Sequence, residues 1–451
     1  MTKLSRLNAA IASLAVLVLW NPSTHAELRV RNARELAKTY GLSNYSSRPD
    51  SLAALKVAVL DNSFEGFLQN RDSLPESAEY LRGPLRSAPS TGNTQSSGHG
   101  LMMAQVIWAL AGREAQGPKF YLIEANGITN LRAAIDQVVE LDVDIVLYAS
   151  TWETGGNFDG QGFINAEVSR ATEAGALWIN AAGNDHGMTF TGRVSSDPST
   201  GALRLPGSGG MLGLTNKLTN NPVKLTLSWT DYKNEEDSQT LKDLDWELQD
   251  WTGRRVALKN LRQGPESTCS DAPLYARGER ENSLHPREQD EVILQEGVYH
   301  LRVLDCSGNF VPSDRVRLVV QSPKGGSLEL HEANGAYEIN PPADHPNVIT
   351  IGDLSPVSSL GPTLDGRSKP DFRLRDTRVE MSDGVTIPMG SSVASAIYTG
   401  ILVRMMSYEP RLSKESLDRY RQKLAREQRS ASGVGPEWRT PSVSELATLL
   451  W

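Results

Sequence analysis

Val57-Ala58-Val59-Leu60-Asp61 sets four apolar residues in a row directly before a carboxylate, with no polar break. A run without alternation is what a strand buried on both faces requires, and such strands belong to parallel sheets covered by helices. Working outward, Met103, Val106, Ile107 and Leu110 recur at helical spacing, and Phe120–Ile123 reads as a second strand. Leu131, Ala134, Ile135, Val138 and Val139 mark a second helix, Val143–Tyr148 a third strand, 162–174 a third helix and Ala176–Asn180 a fourth strand. The order βαβαβαβ predicts a parallel sheet flanked by helices.

The rhythm changes after this. Residues 192–210 are rich in Gly, Ser and Pro and read as a linker. Val223, Leu225, Leu227 and Trp229 then alternate with polar residues, as do Tyr299, Leu301 and Val303, and Val316, Leu318 and Val320. A period of two with no helical pattern predicts an all-β sandwich, which the chain leaves near Pro323-Lys324-Gly325-Gly326. Val348–Ile351 resumes the buried-strand style, and a helix over Val393–Met406 carries Ile397, Ile401 and Met405 on one face. Two further helices are expected near 413–427 and 442–450, the last with Ser442 and Glu445 as a capping box. The expected organisation is therefore 1–26 signal peptide, 27–55 short N-terminal segment and 56–191 first part of an α/β domain. A linker with an inserted sandwich follows over 192–326, and the α/β domain closes over 327–451.

Lys3 and Arg6, the apolar run Ala9–Trp20 and the small residues of Thr24-His25-Ala26 read as a secretory signal cut after Ala26. That run is too short to span a bilayer comfortably, and no later segment is long and apolar enough, so no membrane anchor is expected. The destination is exported, periplasmic or extracellular. Cys269 and Cys306, the two cysteines, are expected to pair in an oxidising compartment; two buried thiols are the alternative. With 46 basic against 54 acidic residues the net charge is −8, and no Lys/Arg run offers a footprint for nucleic acid.

Four short stretches carry chemistry, each at the edge of an element. Asp61 ends a strand where a parallel sheet presents its ligand crevice; alone, an ordinary turn or cap residue is the plainer reading. Ser97-Gly98-His99-Gly100 opens a helix, and a histidine between glycines can trade protons close to a partner, or be structural. Asn180-Ala181-Ala182-Gly183-Asn184 frees an amide to face a cleft, where its N–H groups could hold an oxyanion; a turn asparagine is the plainer reading. Met389-Gly390-Ser391-Ser392-Val393-Ala394-Ser395 sets a serine at a helix N-terminus, as a nucleophile or an ordinary cap. The other histidines, including His186, show no metal-ligand spacing, and no metal residue is assigned.

The order Asp, His, Asn, Ser resembles the subtilisin-like serine peptidases, and the three triad residues follow the order known for subtilisin. The matching stretches are Val57–Asp61, Gly98-His99-Gly100, Ala181–Asn184, Gly390–Ala394, and the long run Ser358-Ser359-Leu360-Gly361-Pro362-Thr363-Leu364-Asp365-Gly366-Arg367-Ser368-Lys369-Pro370-Asp371. The resemblance covers about 56–190 and 327–407. It implies a catalytic triad of Asp61, His99 and Ser392, an oxyanion donor in Asn184, and a substrate strand along Ser150, Thr151 and Trp152. Protein or peptide substrates follow, and calcium is admitted as a cofactor without an assigned ligand set. Asp243–Leu248 and Gly297-Val298-Tyr299 resemble the pre-peptidase β-sandwich found with secreted proteases. Asn62-Ser63, Leu101, Trp152, Ser391 and Ala396 depart from the family's usual residues, and the 27–55 segment is shorter than its folded propeptide. A silent scaffold binding proteins or glycans is the competing reading; an esterase lacks its Gly-x-Ser-x-Gly elbow here.

Overall fold

A computed structural model describes residues 29–85, 98–112, 117–258, 260–263, 269 and 281–408. The expected signal peptide, Ser97 and the expected helices after 408 lie outside the described residues. In chain order come α1 (Ala33–Thr39), α2 (Pro49–Ala54), β1 (Lys56–Asp61), β2 (Glu79–Leu81), α3 (His99–Ala111), β3 (Lys119–Glu124), α4 (Gly127–Glu140), β4 (Ile145–Tyr148), α5 (Phe163–Glu173) and β5 (Leu177–Ala181). Then follow β6 (Thr189–Arg193), β7 (Leu212–Asn216), β8 (Asn221–Trp229), β9 (Leu244–Asp250), β10 (Arg255–Val256), β11 (Leu261–Arg262), β12 (Glu281–Asn282), β13 (Arg287–Leu294), β14 (Gly297–Asp305), β15 (Arg315–Gln321) and β16 (Leu328–Leu330). The chain continues through β17 (Ile349–Asp353), β18 (Phe372–Leu374), β19 (Val379–Glu380), β20 (Thr386–Ile387) and α6 (Ser391–Tyr408).

The unbroken apolar runs do form a parallel sheet. Seven strands lie in the order β18-β17-β5-β4-β1-β3-β2, with every pairing parallel. Both faces are dry. α3 and α6 pack one apolar cluster against Val57, Val59, Phe120 and Ile179, while α4 and α5 pack another against Ala58, Leu60, Tyr121 and Trp178. α6 is buried around nearly its whole circumference, beyond the single face that Ile397, Ile401 and Met405 suggested. It is enclosed by the sheet, α3 and α2, so apolar residues occupy all its sides.

The alternating segment forms two antiparallel sheets, β10-β9-β14-β7-β16 and β13-β8-β15-β6. They meet through one core that includes Trp229, Trp246, Leu227, Leu248, Val303 and Leu318. Strands are recruited beyond the Gly/Ser/Pro stretch at both ends: β6 pairs with β15, and β16 with β7. Each covers an edge whose backbone groups would otherwise lack partners. Cys269 and Cys306 are joined in a disulfide, the expected pairing. The N-terminal segment is held against the later part of the chain: Val30 bridges Met381, and Arg404 Nε donates to Tyr45 O at 2.6 Å. No helix among the described residues is long and apolar enough to cross a membrane.

Candidate active site

Asp61 is the last residue of β1 and is fully buried. Its Oδ1 accepts from Asn62 N at 2.8 Å, which leaves Oδ2 for His99 Nδ1 at 2.7 Å. A carboxylate can only accept, so Nδ1 carries the proton and Nε2 is the free ring nitrogen. His99 is the first residue of α3, which Gly98 caps. Gly100 explains how that helix comes so near: a Cβ there would lie 2.6 Å from both Asp61 Cβ and Phe64 Cε1. Burial lowers the pKa of the imidazole, but the charge and hydrogen bond of Asp61 outweigh it and leave the value above that of an ordinary histidine.

β1 pairs with β4 up to Leu60 and Tyr148, so Asp61, the last residue of β1, and Ala149, the first beyond β4, stand side by side. Ser392, the second residue of α6 and 9% exposed, donates its hydroxyl to Ala149 O at 2.9 Å. Thus the serine hydroxyl rests on the end of β4, and the Asp61–His99 pair stands at the end of its neighbour β1. Among the described residues the hydroxyl makes no hydrogen bond to His99.

Asn184 sits at the turn after β5, exposed to solvent. Its Oδ1 accepts from Ser391 N at 3.0 Å and Ser391 Oγ at 3.1 Å. Gly183, with φ of 102°, makes the sharp turn and donates its N–H to Ser391 Oγ at 3.1 Å. With its oxygen tied to the residue before Ser392, the amide keeps Nδ2 as its outward donor. Ser359 braces the turn from behind: its N donates to Gly183 O at 3.0 Å, and its Oγ accepts from Asp185 N at 3.0 Å. Ser391 and Ser359 were not assigned roles from sequence, although both lie inside quoted stretches. Nothing local distinguishes a bracing serine from a solvated one.

Ser150, Thr151 and Trp152 extend from the end of β4 and are half-buried. Asn180 Nδ2 donates to Ser150 O at 3.0 Å, and Trp152 Nε1 to Tyr148 OH at 2.8 Å. Trp152 N is engaged with Pro341 O at 2.8 Å. His186 pairs its Nδ1 with Glu338 Oε2 at 2.8 Å on a fully buried carboxylate. The sandwich abuts this edge: Lys224 of β8 reaches Glu153 at 3.1 Å, and Gln321 of β15 donates to Asp185 Oδ1 at 2.9 Å.

An all-parallel seven-stranded sheet in this strand order, with helices on both faces, is the subtilisin-like fold. Among solved structures the chain is similar to the CspB protease of Clostridium perfringens, at 13% identity over 93% of this chain and 97% of that one, with a TM-score of 0.52. Weaker likenesses include the psychrophilic subtilisin-like protease Apa1 of Pseudoalteromonas sp. AS-11, at 11% identity, 85% and 89% coverage and a TM-score of 0.31. No protein-family model matches the chain, and no curated protein does either.

Proposed function

We propose that the chain is an exported serine endopeptidase that cleaves peptide bonds through Asp61, His99 and Ser392 and an acyl-enzyme intermediate. The observation that carries this reading is the buried 2.7 Å Asp61–His99 hydrogen bond at the end of β1, next to the β4 end on which the Ser392 hydroxyl rests. In this mechanism Ser392 Oγ turns from Ala149 O to His99 Nε2. As Oγ attacks the substrate carbonyl carbon, its proton passes to Nε2, and the imidazolium is stabilised by Asp61. The C–N bond then breaks as Nε2 protonates the leaving amine, and water repeats the sequence to free the acid. Asn184 Nδ2 and the Ser392 N–H hold the oxyanion, aided by the positive end of α6.

Ser150–Trp152 serve as the substrate strand by β-pairing. One donor there is already taken, since Trp152 N bonds Pro341 O. A peptide therefore displaces Pro341 or bonds elsewhere along the edge. Residues 192–326 are read as an insert in the catalytic domain, and 1–26 as the export signal. A second reading, a silent binding scaffold, draws on the same two details: a serine hydroxyl held by Ala149 and an occupied Trp152 N–H.

Labelling of the signal-free protein by a fluorophosphonate, with Ser392→Ala as control, separates them. Labelling lost in the control supports the peptidase. Folded protein that takes no label favours the scaffold.

A further inference from the structure

Away from the proposed active site, one strand from each sheet of the sandwich brings acid groups together. Asp243, just before β9, Asp245, near its start, and Glu288, on β13, each place a carboxylate oxygen within 4.8 Å of the others. The three residues are 0%, 3% and 0% exposed. Glu288 accepts from neutral donors, Gln263 Nε2 at 2.9 Å and Leu261 N at 2.7 Å.

Gln263 is the independent observation. It is 1% exposed, and its carboxamide reaches into the group through the bond to Glu288. Its Oε1 is buried without any hydrogen-bond partner. A carbonyl oxygen left in that state costs about 1–3 kcal/mol unless something accepts its lone pairs. Beside three carboxylates, the group that does so is a cation.

We propose that Asp243, Asp245, Glu288 and Gln263 bind a calcium ion that ties the two sheets of the sandwich together. An all-oxygen, mostly anionic donor set suits a hard divalent ion better than zinc, whose structural sites are built from Cys and His. Calcium accepts cages made wholly of protein oxygens, whereas magnesium usually keeps several waters, to which carboxylates only 0–3% exposed give little access. The Cys269–Cys306 disulfide lies alongside, with Cys306 N donating to Asp243 O at 2.9 Å, so a covalent tie already braces this end. Its sulfurs are bonded to each other and are not ligands.

The test uses the whole signal-free chain after chelator treatment. Calcium is titrated calorimetrically, and terbium by luminescence excited through tryptophan, with Trp246 next in sequence to Asp245. The proposal expects one saturable calcium equivalent, terbium displaced by calcium at far lower concentration than by magnesium, and a higher melting temperature with calcium. Glu288→Gln and Asp243→Asn, confirmed folded by circular dichroism, should each bind at least tenfold more weakly. Hydrogen exchange on the unaltered protein should show calcium-dependent protection within 243–250 and 287–294. Absence of saturable binding overturns the site, as does unchanged affinity in both folded variants or protection confined to 56–190. Should neither variant fold, the exchange map of the unaltered protein decides.

Discussion

His99 needs a partner on each ring nitrogen to act as a base, and Asp61 settles the first. Its buried carboxylate fixes the Nδ1 tautomer and raises the imidazole pKa above the ordinary value near 6.5. A general base works in its neutral form, so kcat/KM should rise with pH along a limb lying above about 6.5. Asp61→Asn removes the charge that raises the pKa and leaves burial, which lowers it. The limb should then move to lower pH while turnover drops by ~10⁴-fold, the size known for the equivalent change in a serine protease triad. A pH–rate profile of the two proteins checks both directions. Ser392→Ala or His99→Ala should cost about a million-fold in turnover, and Asn184→Gly ~10²–10³-fold with little change in KM, as found for the same roles in subtilisin. Near-full activity of Ser392→Ala would sink the mechanism.

At the scale of elements, α3 is brought to β1 by one missing side chain. Gly100→Ala would press a Cβ into the Asp61 side chain and the Phe64 ring, so the helix must retreat by a fraction of an ångström or more. Overpacking of this kind costs about 1–3 kcal/mol. The retreat also stretches the His99–Asp61 bond, so activity should fall far more than the denaturation midpoint does. Equal small effects on both would mean that the helix end is softer than its packing implies. The flanking glycines around His99 were legible in sequence as permission for close approach. The atoms that come close were not, because Phe64 and Asp61 meet Gly100 only once the strand and helix are packed.

For the whole molecule, the sandwich and the parallel sheet have separate cores, and the disulfide belongs to the former. Reduction of Cys269–Cys306 should therefore lower the stability of the sandwich, by the ~2–4 kcal/mol typical of a disulfide. Fluorophosphonate labelling at Ser392 should persist. Loss of labelling in step with reduction would show that the contacts of Lys224 with Glu153 and of Gln321 with Asp185 carry the site with them. Those contacts were invisible in sequence, since each joins residues more than seventy positions apart and none has a local pattern.

Periodicity alone was enough to separate a parallel α/β sheet from an antiparallel sandwich, because burial on two faces and on one face leaves different repeats along a chain. The chemical stretches, too, stood at strand ends and helix starts, where backbone direction changes and polar groups are freed. Packing decided the rest. It drew β6 and β16 into the sandwich to cover open edges, buried α6 on every side, and placed Ser359 behind the Asn184 turn. It also gathered Asp243, Asp245, Glu288 and Gln263 from separate segments. Such meetings depend on three-dimensional proximity between residues whose own neighbours in sequence say nothing of them.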